Sequence, residues 1–244
     1  MKKFFTLALL AITLISTAQE STLLRVNYKK GEAYTVAMDI TQNMGTLSSM
    51  DMTMLADVAV TDVEGDVYSS EMKFTKIAMN MLSGGNLMSF DSDKSDDELD
   101  ETGKMMKAQM GPMLKMVFFS KGNSLGKVLE LKIEPDLPGA SDMAKQFSGV
   151  IYPKEAVKVG STWNLVKEEK GMKMGFVYAV KSISKDKVLL AVSGNISGMG
   201  EGTILGNMTI DRASGIALKS KIDMTMSISG QEVESTVNIA MKKQ

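Results

Sequence analysis

The sequence predicts a mainly β protein with minor α content: a long curved antiparallel sheet, open or half-barrel-like, with one or two helices packed on its apolar face. The first observation is strict alternation of apolar and polar residues over runs longer than an ordinary strand. The second is a turn signal between successive runs, which is typical of a meander. The clearest alternating runs are 34–44, 50–60 and 216–228.

The apolar residues of each run occupy one phase, which places them on one face of a strand. One run changes phase, because Phe74 is even-numbered whereas Ile77 and Met79 are odd-numbered. One extra residue near Thr75-Lys76 would return both halves to the same face, so we predict a β-bulge there. The letters S-G-Q-E at 229–232 predict the hairpin that precedes the last strand.

Two segments have a helical rather than an alternating pattern. Residues 96–110 place two methionines at helical spacing, Ser95 and Glu98 fit a capping box, and a Gly-Pro pair follows the segment. A second, short helix is predicted over 139–148. We therefore expect a first meander over 19–150 that contains both helices, and a second meander over 151–244 in one continuous domain with the first.

The first residues are typical of a secretory signal peptide over 1–18. Lys2 and Lys3 precede an apolar run that ends at Ile15, and small residues at Ser16 and Ala18 mark a cleavage site. We expect export to the periplasm or the extracellular space, with cleavage near Ala18. No later segment approaches the roughly 20 apolar residues of a membrane-spanning helix, so no transmembrane segment is expected in the mature chain.

Composition narrows the range of partners. The chain contains no cysteine, so an exported fold must be stabilised by its apolar core rather than by disulfides. The formal net charge is −1, and no cluster of lysine and arginine stands out. Nucleic acid is not an expected partner, because such binding depends on clustered basic residues that face phosphates. The pattern indicates no particular oligomeric state.

The residue types also narrow the chemistry. Histidine and cysteine are both absent, which excludes Ser-His-Asp and Cys-His nucleophilic sites and the commonest zinc and haem ligation. Asp91, Asp93 and Ser95 begin like a calcium-binding loop, but Asp96 stands where that loop requires glycine, and Thr102 where it requires glutamate. We expect neither an enzyme nor a bound cofactor or metal.

The two halves of the chain resemble each other in three places. The similar pairs are K-K-G-E-A-Y (29–34) with K-V-G-S-T-W (158–163), V-A-V-T-D-V-E-G-D (58–66) with Y-A-V-K-S-I-S-K-D (178–186), and L-G-K-V-L (125–129) with S-G-I-A-L (214–218). Two explanations stay open. Either a unit was duplicated, or both halves follow the turn and strand preferences of any meander.

Several of these motifs together resemble a known family. They are the paired G-x-x-[YW] strand entries, F-D-S at 90–92, G-x-V-L at 126–129 and Y-P-K-E-A-V-K-V-G-S-T-W at 152–163. An exported chain with these motifs resembles a family of uncharacterised bacterial secreted β-proteins with a domain of unknown function, over most of residues 25–244. The resemblance implies a long curved sheet, distantly similar to the half-barrels of periplasmic lipoprotein carriers. It implies no substrate.

Methionine is the one residue in clear excess, at 23 of 244 residues. Methionines recur with Met-x-Met spacing in several strands, and two more lie in the predicted helix over 96–110. Unbranched methionine side chains adapt to varied apolar partners. The candidate ligand-binding residues are Met50, Met52, Met54, Met79, Met81, Met106, Met110, Met224 and Met226.

Three functions fit this pattern. The first is non-enzymatic binding of an apolar ligand, such as a lipid, an acyl chain or a peptide segment, on a methionine-lined concave sheet face. The second is a structural or protein-interaction module that binds no small ligand. The third is binding of Cu(I), because thioethers are soft ligands for a soft ion.

Overall fold

The computed structural model describes residues 20–45, 48–137, 140, 149–169, 171–228 and 230–244. The predicted signal peptide over 1–18 lies outside these residues. So does the short helix predicted over 139–148, apart from Ala140, which is buried.

The described residues are mostly strand. In chain order the strands are β1 (Ser21–Thr22), β2 (Ala33–Asn43), β3 (Ser48–Glu64), β4 (Val67–Ser83), β5 (Asn86–Asp91), β6 (Val117–Asn123), β7 (Val128–Glu134), β8 (Val157–Lys158), β9 (Thr162–Glu169), β10 (Met172–Ile183), β11 (Lys187–Gly198), β12 (Glu201–Asp211), β13 (Ala217–Ile228) and β14 (Gln231–Lys243).

Twelve of these strands form one antiparallel sheet. Its order is β7-β6-β4-β3-β2-β14-β13-β12-β11-β10-β9, and β5 pairs with β4 in line with β6. The first strand of the first meander, β2, therefore pairs with the last strand of the chain, β14, which joins both meanders edge to edge. Strands β1 and β8 form a separate two-stranded sheet. The predicted fold class, a long curved antiparallel sheet with minor helix, is confirmed.

The phase change in β4 arises from a β-bulge, as predicted. Leu55 pairs with Lys76 and Ala56 pairs with Phe74, so Thr75 is the extra residue. Phe74 and Ile77, on either side of it, are both buried on the same face. We call this the apolar face, and the opposite one, which carries Thr53, the outer face.

The helix predicted over 96–110 is two elements. Asp96–Glu98 form a 3-10 turn, and α1 spans Glu101–Met110. Ser95 and Glu98 belong to the turn, whereas the side chain of Asp100 caps α1 by accepting from the Gly103 N–H at 2.7 Å. A second 3-10 segment, Gly111–Lys115, follows α1 directly. Within the described residues, no helix is long and apolar enough to cross a membrane.

The described residues form three cores on the apolar face. The first core lies beneath α1 and includes Met54, Phe74 and Ile77. The second core lies in the second meander, where the segments 20–28 and 149–157 cover the sheet and bury Leu24 and Tyr152. The third is small and is formed by Tyr34, Val60 and Ile216.

The two meanders share local details beyond alternation. The Gly31 N–H donates to Val60 and the Gly160 N–H to Val180, each at 2.9 Å. In each meander the residue after this valine is the extra residue of a bulge: Thr61 follows Val60, and Lys181 follows Val180. Equivalent bulges also leave Leu129 unpaired between β6 and β7, and Leu218 between β12 and β13. General strand preferences do not require bulges at matching positions, so this agreement favours a duplicated unit.

Glu32 ties the last strand to the first meander. Its carboxylate accepts from Lys243 Nζ at 2.7 Å, from the Tyr34 hydroxyl at 2.7 Å and from the Lys29 N–H at 2.9 Å. Burial alone would raise the pKa of Glu32, but these three donors lower the pKa from 4.5 to about 2.

The substitution Glu32→Gln should therefore destabilise the fold in a pH-dependent way. The native state holds the ionised carboxylate, so its contribution is complete above the unfolded pKa of 4.5 and is lost as the pH falls toward about 2. We expect a loss of about 1–2 kcal/mol near neutral pH, because the Lys243 ion pair is partly exposed. Urea unfolding of both proteins across this pH range measures the difference in their free energies of unfolding. A difference that stays constant down to the native pKa would contradict the assignment.

Candidate functional site

The methionines of β3 and β4 form a compact group on the apolar face. Met50 lies opposite Met81 and Met52 lies opposite Met79. Directly opposed side chains have Cβ atoms about 5 Å apart, and residues i and i+2 are about 6.6 Å apart along a strand. The pairing register thus brings two Met-x-Met motifs into one four-methionine cluster.

Five of the nine predicted site residues belong to the first core. Met54 and Met106 are buried there, whereas Met52, Met79 and Met110 pack against it and remain partly exposed. Helix α1 accounts for their burial, because it lies over β5 and carries Met106 toward the sheet. These five residues fill space between the helix and the sheet.

The other four predicted residues are outside the three cores that the described residues form. Met50, Met81, Met224 and Met226 are all partly exposed on the apolar face. They lie toward one end of their strands, where Ile204 opposite Met224 and Val233 opposite Met226 are buried. We call these four residues the open methionines.

The open methionines do not form one continuous group. Between Met50 and Met224 the register places Gln42 and Ser235, on β2 and β14. Three strand spacings, about 14 Å, separate the two methionine pairs. The nine methionines therefore do not form a single wall: five are largely core and four border an open strip with a polar centre.

Several neighbours of this strip were not predicted from the sequence. Met88 lies opposite Met81, Ile204 lies opposite Met224, and Met174 lies opposite Ile196. Each occupies the apolar phase of its strand, so alternation was an available signal. What was missing was the strand order, which decides whether two apolar residues on different strands are neighbours.

A second site lies at the other end of the sheet. The described residues line a cleft of about 240 Å³ between the segment 23–28 and the β3–β4 turn, and its walls include Tyr28, Tyr68 and Arg25. The tyrosine rings meet edge to face with centroids 4.8 Å apart. Burial raises the pKa of both Tyr28 and Tyr68. Methionines are not among its lining residues.

Arg25 is held firmly at this cleft. Its guanidinium donates to the carbonyl oxygens of Leu24 at 2.7 Å, Pro153 at 2.9 Å and Lys154 at 2.5 Å. These bonds join the two covering segments to each other, so Arg25 has a structural task here. The cleft residues come from four distant parts of the chain, and no sequence pattern linked them.

Lysines pair with part of the acidic run at 90–101. Lys76 Nζ lies 3.3 Å from Asp91 and 2.6 Å from Asp93, and Lys107 Nζ lies 2.6 Å from Asp96. Among the described residues, no group of three or more acidic side chains is arranged to hold a metal ion. The run serves to anchor the start of α1 to the sheet.

Three comparisons relate the chain to known proteins. No curated protein sequence matches it. A solved structure titled "Lipid-protein interactions in lipovitellin" superposes with a TM-score of 0.56 and 12% identity, over 89% of this chain and 26% of the other. This chain thus spans about a quarter of that lipovitellin chain. A second structure, "Asymmetric conductivity of engineered proteins", has a TM-score of 0.18 and 9% identity over 88% of this chain and 99% of the other, too low to indicate a shared fold.

A family model matches the second part of the chain. It is described as a family of unknown function, DUF6263, and it matches residues 139–240. The motif at 152–163 lies inside this range, which is shorter than the 25–244 expected from the sequence. The predicted resemblance is confirmed: the second meander is similar to a family of unknown function, and the chain as a whole shares the fold of part of a lipovitellin.

Proposed function

We propose that this chain is an exported, non-enzymatic protein that binds an apolar ligand, such as a lipid or an acyl chain, on the strip bordered by the open methionines. One observation carries the proposal. Met50, Met81, Met224 and Met226 stay partly exposed on the apolar face, whereas Met54 on the same face is buried in the first core beneath α1. Partly exposed methionine surfaces adapt to flexible apolar partners.

The shared fold supports the same class of ligand. The lipovitellin structure is titled for lipid–protein interactions, and this chain has the fold of about a quarter of it. The polar centre of the strip, Gln42 and Ser235, offers hydrogen bonds to a polar group on an otherwise apolar ligand. Apolar sites commonly use a few such groups to orient what they bind.

The methionine cluster of β3 and β4 favours a second candidate, binding of Cu(I). The register sets Met50, Met52, Met79 and Met81 within reach of one another. Four thioethers are an adequate ligand set for a soft monovalent ion. Met52 and Met79 also pack in the first core, however, so only part of the cluster is open to solvent.

Titration with a fluorescent fatty acid tests the first candidate. We expect the double substitution Met224→Gln and Met226→Gln to weaken binding about tenfold, because it removes about 1.4 kcal/mol of apolar contact at nearly constant volume. The matched control is Met105→Gln with Met199→Gln, since both residues are exposed, at 59% and 70%, and both lie outside the strip. Equal affinity in the two variants would reject the site.

A second variant separates the lipid from the metal. Met50→Leu with Met81→Leu keeps the apolar contacts and removes two thioethers. An apolar-ligand protein should keep its fatty-acid affinity in this variant, within about threefold. A copper protein should lose Cu(I) retention in an anaerobic competition assay. If native mass spectrometry finds neither lipid nor copper on the wild-type chain, and neither titration saturates, the chain is a structural or interaction module instead.

A further inference from the structure

The sheet has an exposed apolar edge at β7. This strand pairs with β6 on one side, and no other described strand lies on its second side. Val128, Leu129 and Leu131 are exposed at 42%, 48% and 40%. Edge strands of soluble proteins are normally protected, because free N–H and C=O groups beside apolar side chains invite another strand to pair.

The internal repeat indicates what this edge can accept. In the second meander β13 is the counterpart of β7, since each follows a glycine-containing turn and carries a bulged leucine, Leu218 or Leu129. The far edge of β13 is occupied, because β14 pairs with it antiparallel. Strand β7 therefore has the local form of a strand that supports one more antiparallel neighbour, and in this chain that place is empty among the described residues.

The sequence of β7 is complementary to itself. In an antiparallel pair centred on Leu131, Glu130 of each copy lies opposite Lys132 of the other, on the outer face. Leu131 meets its own equivalent on the apolar face. Glu130 already lies 2.9 Å from Lys121 on β6, so the second copy would place it between two lysines. Opposite charges and apolar pairs directly across two strands both stabilise the pairing.

The edge strand at the opposite end of the sheet, β9, is less suited to pairing. On β9 the residue opposite Met174 is Lys167, which therefore points to the apolar face. Its Nζ lies 5.8 Å from the centre of the Phe176 ring. An inward-pointing charge on an edge strand is a known device against edge pairing. Pairing through β7 alone closes on itself as a two-fold dimer, whereas β7 with β9 would give an open filament.

We propose that two copies of this chain associate through antiparallel pairing of their β7 strands, which joins two twelve-stranded sheets into one. The pairing covers the exposed leucines and places four charges of alternating sign across the junction. It also continues the apolar face from one copy into the next. The proposal does not depend on the ligand proposed above.

Analytical ultracentrifugation of the chain without the predicted signal peptide, residues 19–244, tests this pairing. At about 50 µM we expect a particle of twice the chain mass. Glu130→Lys and Lys132→Glu should each weaken association at least tenfold, because each places like charges opposite one another. The combined variant, Glu130→Lys with Lys132→Glu, restores opposite charges and should restore the dimer. Both side chains are more than half exposed, so the monomer should fold normally.

The control is Glu168→Lys on β9, which reverses an exposed charge at the other edge. It should leave the dimer intact. Three results would overturn the proposal: a monomeric wild-type chain at this concentration, a combined variant that stays as monomeric as the single ones, or a dimer that Glu168→Lys disrupts as strongly as Glu130→Lys. Circular dichroism of each variant confirms that the fold is retained.

Discussion

Deletion of Ala78 is expected to prevent stable folding, whereas deletion of Thr75, three residues earlier in the same strand, should be tolerated. Ala78 lies in the regular part of β4, opposite Thr53 on β3 and Asp91 on β5. Side chains alternate along a strand with a period of two, so removing one regular residue inverts every residue on one side of the gap. Thr75 is the extra residue of a bulge, so its removal leaves the flanking residues on their own faces.

Neither way of accommodating the Ala78 deletion preserves the first core. If the residues before the gap keep their places, Met79 and Met81 turn to the outer face and Asn80 turns inward. If the bulge is lost instead, Ile77, which is fully buried, turns outward and Lys76 turns into the core. Burying an unpaired lysine and exposing a core isoleucine together cost more than about 4 kcal/mol.

Urea unfolding followed by circular dichroism compares the two deletions. We expect the Thr75 deletion to stay within about 1 kcal/mol of the wild type, since Lys76 keeps its place opposite Leu55 and its ion pairs with Asp91 and Asp93. The Ala78 deletion should be unfolded or aggregated at every urea concentration. Similar stability of both deletions would mean that the bulge is not the source of the phase change in β4.

The side-chain alternation that these deletions test is also the part of the fold that the sequence predicts best. Alternation identifies which side chains share a face of a strand, because that depends only on neighbouring residues. It located the bulge near Thr75-Lys76, and the turn letters at 229–232 located the last hairpin, without knowledge of the sheet. The capping pattern located a helix start, but it could not distinguish the 3-10 turn at Asp96–Glu98 from α1, because both begin with a similar capping sequence.

Neighbours across strands were beyond sequence reasoning. The pairing of β14 with β2 joins residues about 190 to 210 positions apart, and no local pattern encodes it. That pairing decides that Gln42 and Ser235 separate the open methionines into two pairs. The covering segments 20–28 and 149–157 were likewise not predicted to lie on the apolar face, because their few residues carry no periodic signal. The candidate site was therefore identified by residue type and only partly by arrangement.

Replacement of Gly215 by alanine should cause one of the largest losses of stability from a single substitution in this chain. Gly215 is buried and has a φ of +65°, a conformation that costs other residues about 1 kcal/mol. A Cβ atom there would overlap the carbonyl oxygen of Arg25 and lie 2.9 Å from the Val26 nitrogen. These are backbone atoms of the covering segment 20–28, so they cannot move aside as a flexible side chain could.

The consequence would extend through both covering segments. Next to Gly215, the Ser214 carbonyl accepts from the Asn27 N–H at 2.8 Å, and the Gly215 carbonyl accepts from the Tyr152 hydroxyl at 2.7 Å. Displacing segment 20–28 would break the Asn27 contact and the hydrogen bonds from Arg25 to Pro153 and Lys154, which join this segment to segment 149–157. It would also expose Leu24, which is 1% exposed in the native fold. We expect Gly215→Ala to lower the free energy of unfolding by at least about 3 kcal/mol.

Two other glycines separate the contribution of the clash from that of backbone strain. Gly31 also has a positive φ, +84°, but a Cβ there would meet nothing within 4 Å, so Gly31→Ala should cost only about 1 kcal/mol. Gly126 is the counterpart of Gly215 in the first meander, and its Cβ would lie 2.5 Å from the Val150 carbonyl oxygen. Gly126→Ala should therefore resemble Gly215→Ala.

Fluorescence of Trp163, the single tryptophan, reports urea unfolding of all three variants. If Gly215→Ala lost no more stability than Gly31→Ala, segment 20–28 would not be packed against the β12–β13 turn.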